Sequence, residues 1–427
     1  MAGAALSRSP IGGHVACRAC GHSTDPFLPF GDLPLANGLI YPELPHGAEE
    51  RFPLTLTLCP ACALVQLAES TEPETLFRHY LYQTSTSAAF VNHARALVQR
   101  LIAERRLGPD NQVIELASND GYLLQHYRAT GVPVLGIEPA INIAELARQR
   151  GIDTICEFFS QEVADRLHQE GHRADVVHAH NVLAHVPNLD GFIGGIAAIL
   201  APDGVTVIEA PYLVDLVDNL EFDTVYHEHL CYFALAPLVP LFARHGLQIA
   251  AVERIPVHGG SLRVFARRAG QRAPDASVDA MLAHERAWGV SDLSTYRRFA
   301  EAVTAFRPAF RHFLGGLRAG GKSIAAYGAA AKGATLLNYC GIGRETIDFV
   351  VDRSPLKQGL TMPGARLPIL PAEELLVRQP DFTVLLAWNF ADEILAQQAE
   401  YQRRGGRFVL PLPQPRVMDP GHDSESG

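Results

Sequence analysis

The chain is short of clustered positive charge and of long apolar runs. Its 427 residues include 36 Lys and Arg against 46 Asp and Glu, and the basic residues occur as scattered pairs such as Arg105-Arg106 and Arg267-Arg268. The formal net charge of -10 argues against a nucleic-acid or membrane-surface partner, so we expect neither. No stretch has the length and purity of a membrane-spanning helix, and residues 1–13 lack a long apolar run. These absences predict a cytoplasmic protein.

Cysteine is also scarce, but four of the seven cysteines fall into two Cys-x-x-Cys pairs. Cys17 and Cys20 form the first pair, and Cys59 and Cys62 form the second. Each pair offers two thiolates to one ion, so together they complete a closed tetrahedral Zn²⁺ site. The proline-rich segment 26–53 could hardly hold a core without such a metal. We therefore predict a structural zinc, with disulfides or a redox role for one pair as the alternatives.

Beyond residue 111, short apolar strands alternate with helical segments. The predicted strands are 112–116, 132–137, 152–156, 175–180, 205–209, 247–254 and 262–267. Helices between the first five strands predict a doubly wound parallel sheet. Segment 255–261 is too short for a helical crossover, so the last two strands should pair antiparallel. This arrangement resembles the class I S-adenosylmethionine-dependent methyltransferases and suits a nicotinamide enzyme less well.

The turn after the first strand lacks two of the three glycines of a Gly-x-Gly-x-Gly cofactor turn. It reads Glu115-Leu-Ala117-Ser-Asn119-Asp120-Gly121, in which Gly121 alone remains. A dinucleotide pyrophosphate needs close approach of the backbone, so the loss of two glycines disfavours such a ligand.

Two more strand ends carry polar residues on the same edge of the predicted sheet. Glu138 and Pro139 end the second strand, where a carboxylate accepts both ribose hydroxyls of either S-adenosylmethionine or NAD. The fourth strand leads into Asn181 and His185, a loop placed to line the reaction centre. His185 could equally end the turn before the next helix.

A row of titratable groups, Tyr226-His227-Glu228-His229, follows the fifth strand. These side chains can supply a general base near neutral pH, a group that orients it and a donor for an oxyanion. The alternative is a polar loop in which the histidines only cap a turn or fill space. The position at the ligand edge of the sheet favours catalysis. In an extended segment Tyr226 and Glu228 would face one way, whereas in a helical turn Tyr226 and His229 would be neighbours.

A hydroxyl-rich segment precedes a helix predicted at about 88–107. Tyr80, Tyr82, Ser85 and Ser87 either form a lid over a polar ligand or serve as packing tyrosines and a helix N-cap at Ser87.

Two helices across 276–320 lead into a second α/β unit. Its predicted strands are 323–327, 347–351, 383–387 and 408–412. Gly328-Ala-Ala-Ala-Lys332 opens its first helix, so backbone amides and Lys332 could meet a diphosphate there. Close helix packing by small residues is the alternative. Asp352 and Arg353 follow the next strand and could border the same ligand.

Together these motifs resemble the nucleotide-sugar C-methyltransferases, which make branched deoxysugars, typically for antibiotics. The resemblance follows the same order over nearly the whole chain and rests on the cysteine pairs and on segments 115–121, 226–229, 258–261 and 327–334. It implies a small zinc-binding domain at 1–72 and a seven-stranded, Rossmann-like class I methyltransferase domain with a helical lead-in at 73–272. A C-terminal α/β domain at 273–427 would bind the nucleotide sugar.

The resemblance also implies the chemistry. The cofactors would be S-adenosylmethionine and a structural Zn²⁺, and the substrate a dTDP-linked 4-ketosugar methylated at C3 or, alternatively, at C5. Such a carbon must lose a proton to form an enolate before it can accept a methyl group. By resemblance, His229 is the base, with Tyr80, His185, Tyr226 and Glu228 around the sugar.

The remaining ligand contacts complete the prediction for a chain expected to act as a monomer. The cofactor residues are Glu115, Ala117, Asn119, Asp120, Gly121, Glu138, Pro139 and Asn181. The substrate residues are Tyr82, Ser85, His258, Lys332, Asp352 and Arg353.

Three other functions stay open. A nucleotide-sugar oxidoreductase or epimerase uses a similar sheet, although Asn119 in place of a glycine argues against it. A small-molecule O-methyltransferase would need a base but no enolate. A zinc-ribbon protein that binds nucleic acid is disfavoured by the acidic charge balance.

Overall fold

The computed structural model describes residues 15–42, 49–69, 73–78, 83–257 and 259–418. Three predicted site residues, Tyr80, Tyr82 and His258, lie outside the described residues. Within the described ranges the chain forms three β-sheets covered by helices. None of the helices in these ranges combines the length and apolar character needed to span a bilayer.

The first sheet is built by the cysteine-rich part of the chain. Its strands in this part are β1 Val15–Ala16, β2 Ser23–Leu33, β3 Phe52–Leu58 and β4 Val65–Leu67, and they pair antiparallel in sequence order. Leu54, Leu56 and Leu58 of β3 are buried, which gives this sheet its own apolar face. The β1–β2 and β3–β4 turns each carry one cysteine pair.

The second sheet has seven strands, as predicted. Along the chain come β5 Val113–Leu116, β6 Val134–Ile137, β7 Thr154–Ile155, β8 Ala174–His180, β9 Leu200–Pro211, β10 Cys231–Tyr232, β11 Leu247–Ile255 and β12 Ser261–Arg268. All of these except β10 form this sheet, in the order β11-β12-β9-β8-β5-β6-β7. The five strands from β9 to β7 are parallel, and β12 lies antiparallel to both β9 and β11. The predicted antiparallel hairpin is therefore confirmed.

Helices precede the strands of this sheet and alternate with them. They are α1 Pro73–Phe77, α2 Ala88–Arg105, α3 Leu124–Arg128, α4 Ile141–Gln149, α5 Gln161–Gln169, α6 Leu189–Ile199, α7 Leu213–Asp218 and α8 Leu235–Arg244. The hydroxyl of Ser87 accepts a hydrogen bond from the Phe90 amide at the start of α2, so Ser87 is the N-cap of that helix.

The third sheet belongs to a second α/β unit reached through α9 Ala276–Trp288 and α10 Leu293–Ala319. Its strands are β13 Ile324–Tyr327, β14 Val350–Asp352, β15 Ile369–Pro371, β16 Phe382–Leu385, β17 Arg407–Leu410 and β18 Arg416–Val417. Their order is β15-β14-β13-β16-β17-β18, with β18 alone antiparallel to its neighbour. Helices α11 Ala331–Cys340, α12 Glu374–Arg378, α13 Ala391–Gln397 and α14 Ala399–Arg403 complete the unit. The sequence did not predict β15 and β18, which are only three and two residues long.

The cysteine-rich part of the chain contacts both of the other parts. Strand β10, which comes from the middle of the chain, pairs antiparallel with β4 and thereby joins the first sheet. Ile40 and Thr361 exchange main-chain hydrogen bonds of 2.9 and 3.0 Å between the cysteine-rich part and the C-terminal unit. The proposed domain boundaries at 72/73 and 272/273 stay predictions.

Candidate functional site

The four paired cysteines converge on one point. Their Sγ atoms all lie within 4.8 Å of one another, with Cys17–Cys62 and Cys20–Cys59 separations of 3.5 Å. A tetrahedral four-thiolate zinc site has S–S separations of about 3.8 Å, whereas a disulfide needs about 2.05 Å. All four cysteines are free of disulfides, so they fit one closed zinc site with no position left for substrate.

A cavity of about 1680 Å³ lies where the three parts of the chain meet. Its wall includes the ends of β5, β6 and β8, the 226–232 segment, the loop 35–41 and the turns that follow β13 and β14. A typical small-molecule site occupies roughly 300 to 1,000 Å³, so this cavity has room for two ligands side by side.

The turn after β5 has the left-handed backbone of a Gly-x-Gly-x-Gly turn, although Gly121 is its only glycine. Ala117, Asn119 and Gly121 have φ values of 53°, 48° and 78°. These are the three positions of the Gly-x-Gly-x-Gly pattern, and all three are left-handed. Asn tolerates this region, but Ala does so at a cost, and such strain concentrates at ligand sites. A Cβ on Gly121 would lie 2.7 Å from Ile152 Cγ1, so glycine is required there by space as well.

Glu138 braces this turn from the end of β6. Its carboxylate accepts hydrogen bonds of 2.9 Å from the main-chain amides of Asn119 and Ala140. Burial raises the pKa of Glu138 to about 7, and the two amides oppose that rise. A carboxylate has about four lone-pair positions, so two remain for hydroxyl donors from the cavity.

The other predicted cofactor residues divide into two groups. Ala117, Asn119, Pro139 and Asn181 line the cavity with Glu138, whereas Glu115, Asp120 and Gly121 lie behind its wall. Asn181 also has a left-handed φ of 52°.

Two carboxyl groups behind the wall have different surroundings. Glu115 is buried, its Oε2 has no hydrogen-bond partner among the described residues, and burial raises its pKa well above the usual range. The Asp120 carboxylate instead accepts from Ser85 Oγ at 2.5 Å and pairs with Arg150 at 2.8 Å. Ser85, a predicted substrate residue, is therefore directed to the Asp120 carboxylate and is not on the cavity wall. The geometry favours a role for Ser85 in holding segment 83–87 against the cofactor turn.

The Tyr226–His229 segment is a turn, the second of the two conformations considered from the sequence. The His229 amide donates to the Tyr226 carbonyl at 2.9 Å, and the two rings lie 4.1 Å apart. His229 Nδ1 lies 2.8 Å from the Thr224 carbonyl, which can only accept, so Nδ1 carries the proton. Nε2 is then the basic nitrogen and accepts from the Tyr226 hydroxyl at 2.9 Å.

His185 and Glu228 stand beside this pair on the cavity wall. His185 Nδ1 donates to the Glu228 carbonyl at 2.8 Å, and the His185 and His229 rings are 4.8 Å apart. Burial lowers the pKa of His185 to about 4, so it is a weak base. Burial raises the pKa of Glu228 to about 7.

His227 points away from the cavity. Its Nε2 donates to the Phe52 and Pro53 carbonyls at 3.2 Å and so fastens the turn to β3 of the first sheet.

The C-terminal unit presents a turn built like the one at Glu138. Asp352, at the end of β14, accepts from the amides of Ala329 at 2.7 Å and Ser354 at 2.8 Å. Glu138 likewise accepts from the Asn119 amide, in the turn after the neighbouring strand, and from the Ala140 amide, two residues ahead of it. Because the same acid position recurs beside a strand-turn-helix opening, both turns suit a nucleotide.

Basic groups lie beside this second turn on the cavity wall. Lys332 Nζ donates to Asn389 at 2.9 Å and lies 4.3 Å from the Trp388 ring centre. The first turn of α11 has no side-chain cap, so its amides are available to an anion. Arg353 pairs with Glu393 at 2.9 Å.

Sequence reasoning missed two contacts that reach this site from elsewhere. Asn37, from the proline-rich loop, donates to both carboxylate oxygens of Glu228 at 2.7 and 2.9 Å. Trp388 donates to the buried Asp223 at 2.7 Å, one residue before the Thr224 carbonyl that orients His229. No local pattern marks either contact, because each joins residues more than 160 positions apart.

Comparison with known proteins identifies the family. C-methyltransferase NovU of Streptomyces niveus is 40% identical over 406 residues, which cover 94% of this chain and 96% of that protein. The chain belongs to the C-methyltransferases. Three family models match successive parts of this chain: a zinc binding domain at 17–77, a methyltransferase domain at 87–252 and a C-methyltransferase C-terminal domain at 256–413.

The solved structures to which the chain is similar are more distant. Magnesium protoporphyrin IX methyltransferase from Synechocystis PCC 6803, solved with bound S-adenosylmethionine, is 17% identical with a TM-score of 0.32 and covers 42% of this chain and 79% of its own. The CcbJ methyltransferase of Streptomyces caelestis is 15% identical with a TM-score of 0.33 and covers 42% and 90%.

Together with the sheet topology, the family assignment confirms several predictions. The protein is an S-adenosylmethionine-dependent C-methyltransferase with a class I methyltransferase fold, a zinc-binding N-terminal region and a further α/β unit. The cavity residues of the 117–121 turn, with Glu138, are suited to hold S-adenosylmethionine, and the four cysteines to hold zinc. The residue-level assignments stay predictions.

Proposed function

We propose that this C-methyltransferase acts on a nucleotide-linked 4-ketosugar, with dTDP as the nucleotide, and that it methylates the carbon next to the ketone. The observation that carries the proposal is the position of the Tyr226–His229 pair. It lies on the wall of one cavity that two acid-braced turns also border, at Glu138 and Asp352. One turn suits the adenosine of the cofactor, which leaves the other for a second nucleotide.

The base in this mechanism is His229 Nε2. The Thr224 carbonyl fixes the proton on Nδ1, so the single lone pair of Nε2 accepts from the Tyr226 hydroxyl. That hydroxyl has to turn its proton away from Nε2 before Nε2 can take a proton from the substrate. The C–H bond next to the ketone breaks, its electron pair forms the enolate, and the proton goes to Nε2. General-base catalysis of this kind typically contributes about 10² to 10⁴ in rate.

Tyr226 then changes its hydrogen bond. Once Nε2 is protonated it donates to the Tyr226 oxygen, and the phenol proton becomes free to donate to the enolate oxygen. Proton removal and enolate stabilisation are thus linked through one 2.9 Å hydrogen bond. When bound, S-adenosylmethionine would supply the electrophilic methyl group: its S–CH3 bond would break as the enolate carbon bonds to the methyl carbon, S-adenosylhomocysteine would leave, the ketone would re-form and the proton on His229 Nε2 would pass to solvent.

The C-terminal unit would hold the nucleotide. Uncapped amides of α11 and the Lys332 ammonium suit a diphosphate, and Asp352 suits a sugar hydroxyl. The choice of C3 over C5 rests on resemblance to the family. Deoxysugar and antibiotic biosynthesis and a cytoplasmic location belong to the same proposal.

The test is hydrogen exchange in D2O. Wild-type enzyme should exchange the proton next to the ketone of a dTDP-4-ketosugar, including when S-adenosylhomocysteine replaces the methyl donor. His229→Asn keeps a polar side chain but cannot accept the proton, so exchange and methyl transfer should fall together by about 10² to 10⁴. NMR of the recovered sugar measures the exchange, and a methyl-transfer assay measures the second step.

His227→Asn is the matched control, because the same substitution falls on a neighbouring residue directed away from the cavity. It should retain most of the exchange. A His229→Asn enzyme that exchanges at the wild-type rate but does not methylate would make His229 a positioning residue and Tyr226 the better base. Methylation without any exchange in the wild type would instead indicate an O-methyltransferase.

A further inference from the structure

A loop of the zinc-binding region forms part of the cavity wall. Leu35, Asn37, Gly38, Leu39 and Tyr41 all line the cavity that the 226–232 segment also lines. The paired hydrogen bonds between Ile40 and Thr361 fix the loop against the C-terminal unit. The loop is therefore held in place at the position where it meets the 226–229 turn.

Asn37 makes the polar contact between this loop and the turn. Its amide nitrogen donates to Glu228 Oε1 at 2.7 Å and to Oε2 at 2.9 Å. An amide NH₂ group can only donate, and an ionised carboxylate can only accept, so this geometry favours the anionic form of Glu228. Glu228 is 3% exposed, and an unpartnered carboxylate at such a site would be costly.

The other charged and titratable groups around Glu228 come from three elements. Lys357, which follows β14, lowers the Glu228 pKa through its charge, while its own ammonium donates to the Ala329 carbonyl at 2.8 Å. His185 donates to the Glu228 main chain, and Tyr226 and His229 share its turn. Burial acts in the opposite direction and raises the Glu228 pKa to about 7, with Asn37 as the largest opposing contribution.

We propose that Asn37 is a positioning residue that favours the anionic form of Glu228 on the cavity wall, so that the zinc-binding region contributes to the active site as well as to stability. An anionic Glu228 is a strong acceptor for a hydroxyl group of the bound substrate. The role of the substrate hydroxyl rests on the proposed function. The effect of Asn37 on Glu228 does not.

The direct test is an infrared titration of the Glu228 carboxyl in folded protein without substrate. The protonated-carboxyl band is assigned as the band that Glu228→Gln lacks. Asn37→Ala removes the donor and Asn37→Asp replaces it with an isosteric acceptor, so in both variants the midpoint should rise by about one pH unit or more. Leu39→Ala, on the same loop and the same cavity wall, is the matched control and should leave the midpoint unchanged.

Kinetics provide the second readout. The acidic limb of the kcat/KM profile should move to higher pH in Asn37→Ala, so that the variant loses about tenfold more activity on the acidic side than on the basic side. Glu228→Gln should remove the part of this limb that comes from Glu228 and leave the part that comes from Glu138, which also titrates near pH 7. Asn37→Ala and Asn37→Asp each remove the donor, so the test can still be made with one of them if the other misfolds.

Equal midpoints in wild type, Asn37→Ala and Asn37→Asp would overturn the inference. A shift of the same size in Leu39→Ala would overturn it too, as would an activity loss that is uniform across pH. If the midpoint shifts but wild-type enzyme turns over no 4-ketosugar, the proposed substrate is wrong and the role of Asn37 stands.

Discussion

Binding of S-adenosylmethionine should release a proton from Glu138 near neutral pH. In the unliganded protein burial raises the pKa of Glu138 to about 7, so close to half of the molecules carry the proton at pH 7. Ribose hydroxyls that donate to the carboxylate favour its charged form and should bring the pKa back toward its ordinary value. The affinity should therefore increase as the pH rises through 7.

The magnitude follows from the same numbers. If only the form with ionised Glu138 binds well, the apparent affinity is proportional to the ionised fraction of the enzyme. For a pKa of about 7, raising the pH from 6 to 8 strengthens binding about tenfold, and about half a proton is released at pH 7. Isothermal titration calorimetry in buffers with different ionisation enthalpies measures both quantities.

Glu138→Gln is the control that isolates this carboxyl. It keeps the shape and size of the side chain but cannot ionise. Its NH₂ group replaces one carboxylate oxygen and therefore faces a main-chain N–H donor, from either Asn119 or Ala140. The amino group of the cofactor also titrates, with an ordinary pKa of about 8, and it contributes equally in both proteins. Equal proton release by wild type and Glu138→Gln would refute the reasoning and move the ribose contact elsewhere.

Two further predictions concern the metal and the nucleotide. Cys59→Ser should release zinc and lower the melting temperature while folded protein keeps near-normal S-adenosylmethionine affinity; metal-free protein that stays fully folded but inactive would contradict a structural zinc. Lys332→Ala should weaken calorimetric binding of dTDP by about tenfold or more, because a hydrogen bond to a charged group contributes roughly 1.5 to 3 kcal/mol. Lys322→Ala, which removes a lysine paired with Asp381 away from the cavity, is the control, and equal affinities in the two variants would exclude Lys332 from the nucleotide site.

The strands of the methyltransferase sheet and its antiparallel hairpin could be predicted because each strand has an apolar run and a short connection closes the hairpin. The backbone of the cofactor turn could not be predicted in this way. Ala117 carries no local signal for a left-handed φ, and only the surrounding structure holds it there.

The site was predicted in part for a similar reason. Tyr226, Glu228 and His229 come from one short motif, but the choice between an extended segment and a turn depends on the hydrogen bond from the His229 amide to the Tyr226 carbonyl. Asn37 belongs to a loop without periodicity, and its importance comes from a contact across the fold. Sequence patterns predict which elements form, whereas contacts of this kind depend on how the elements pack.

The pairing of β10 with β4 has a consequence for protein engineering. Because β10 begins two residues after His229 and completes the first sheet, ladder hydrogen bonds join the zinc-binding region to the residues that closely follow the 226–229 turn. Removing residues 1–72 would expose an unpaired strand edge beside the proposed base, His229. A chimera that exchanges the zinc-binding region between two relatives therefore has to transfer segment 226–233 with it, because these two stretches of sequence form one structural unit.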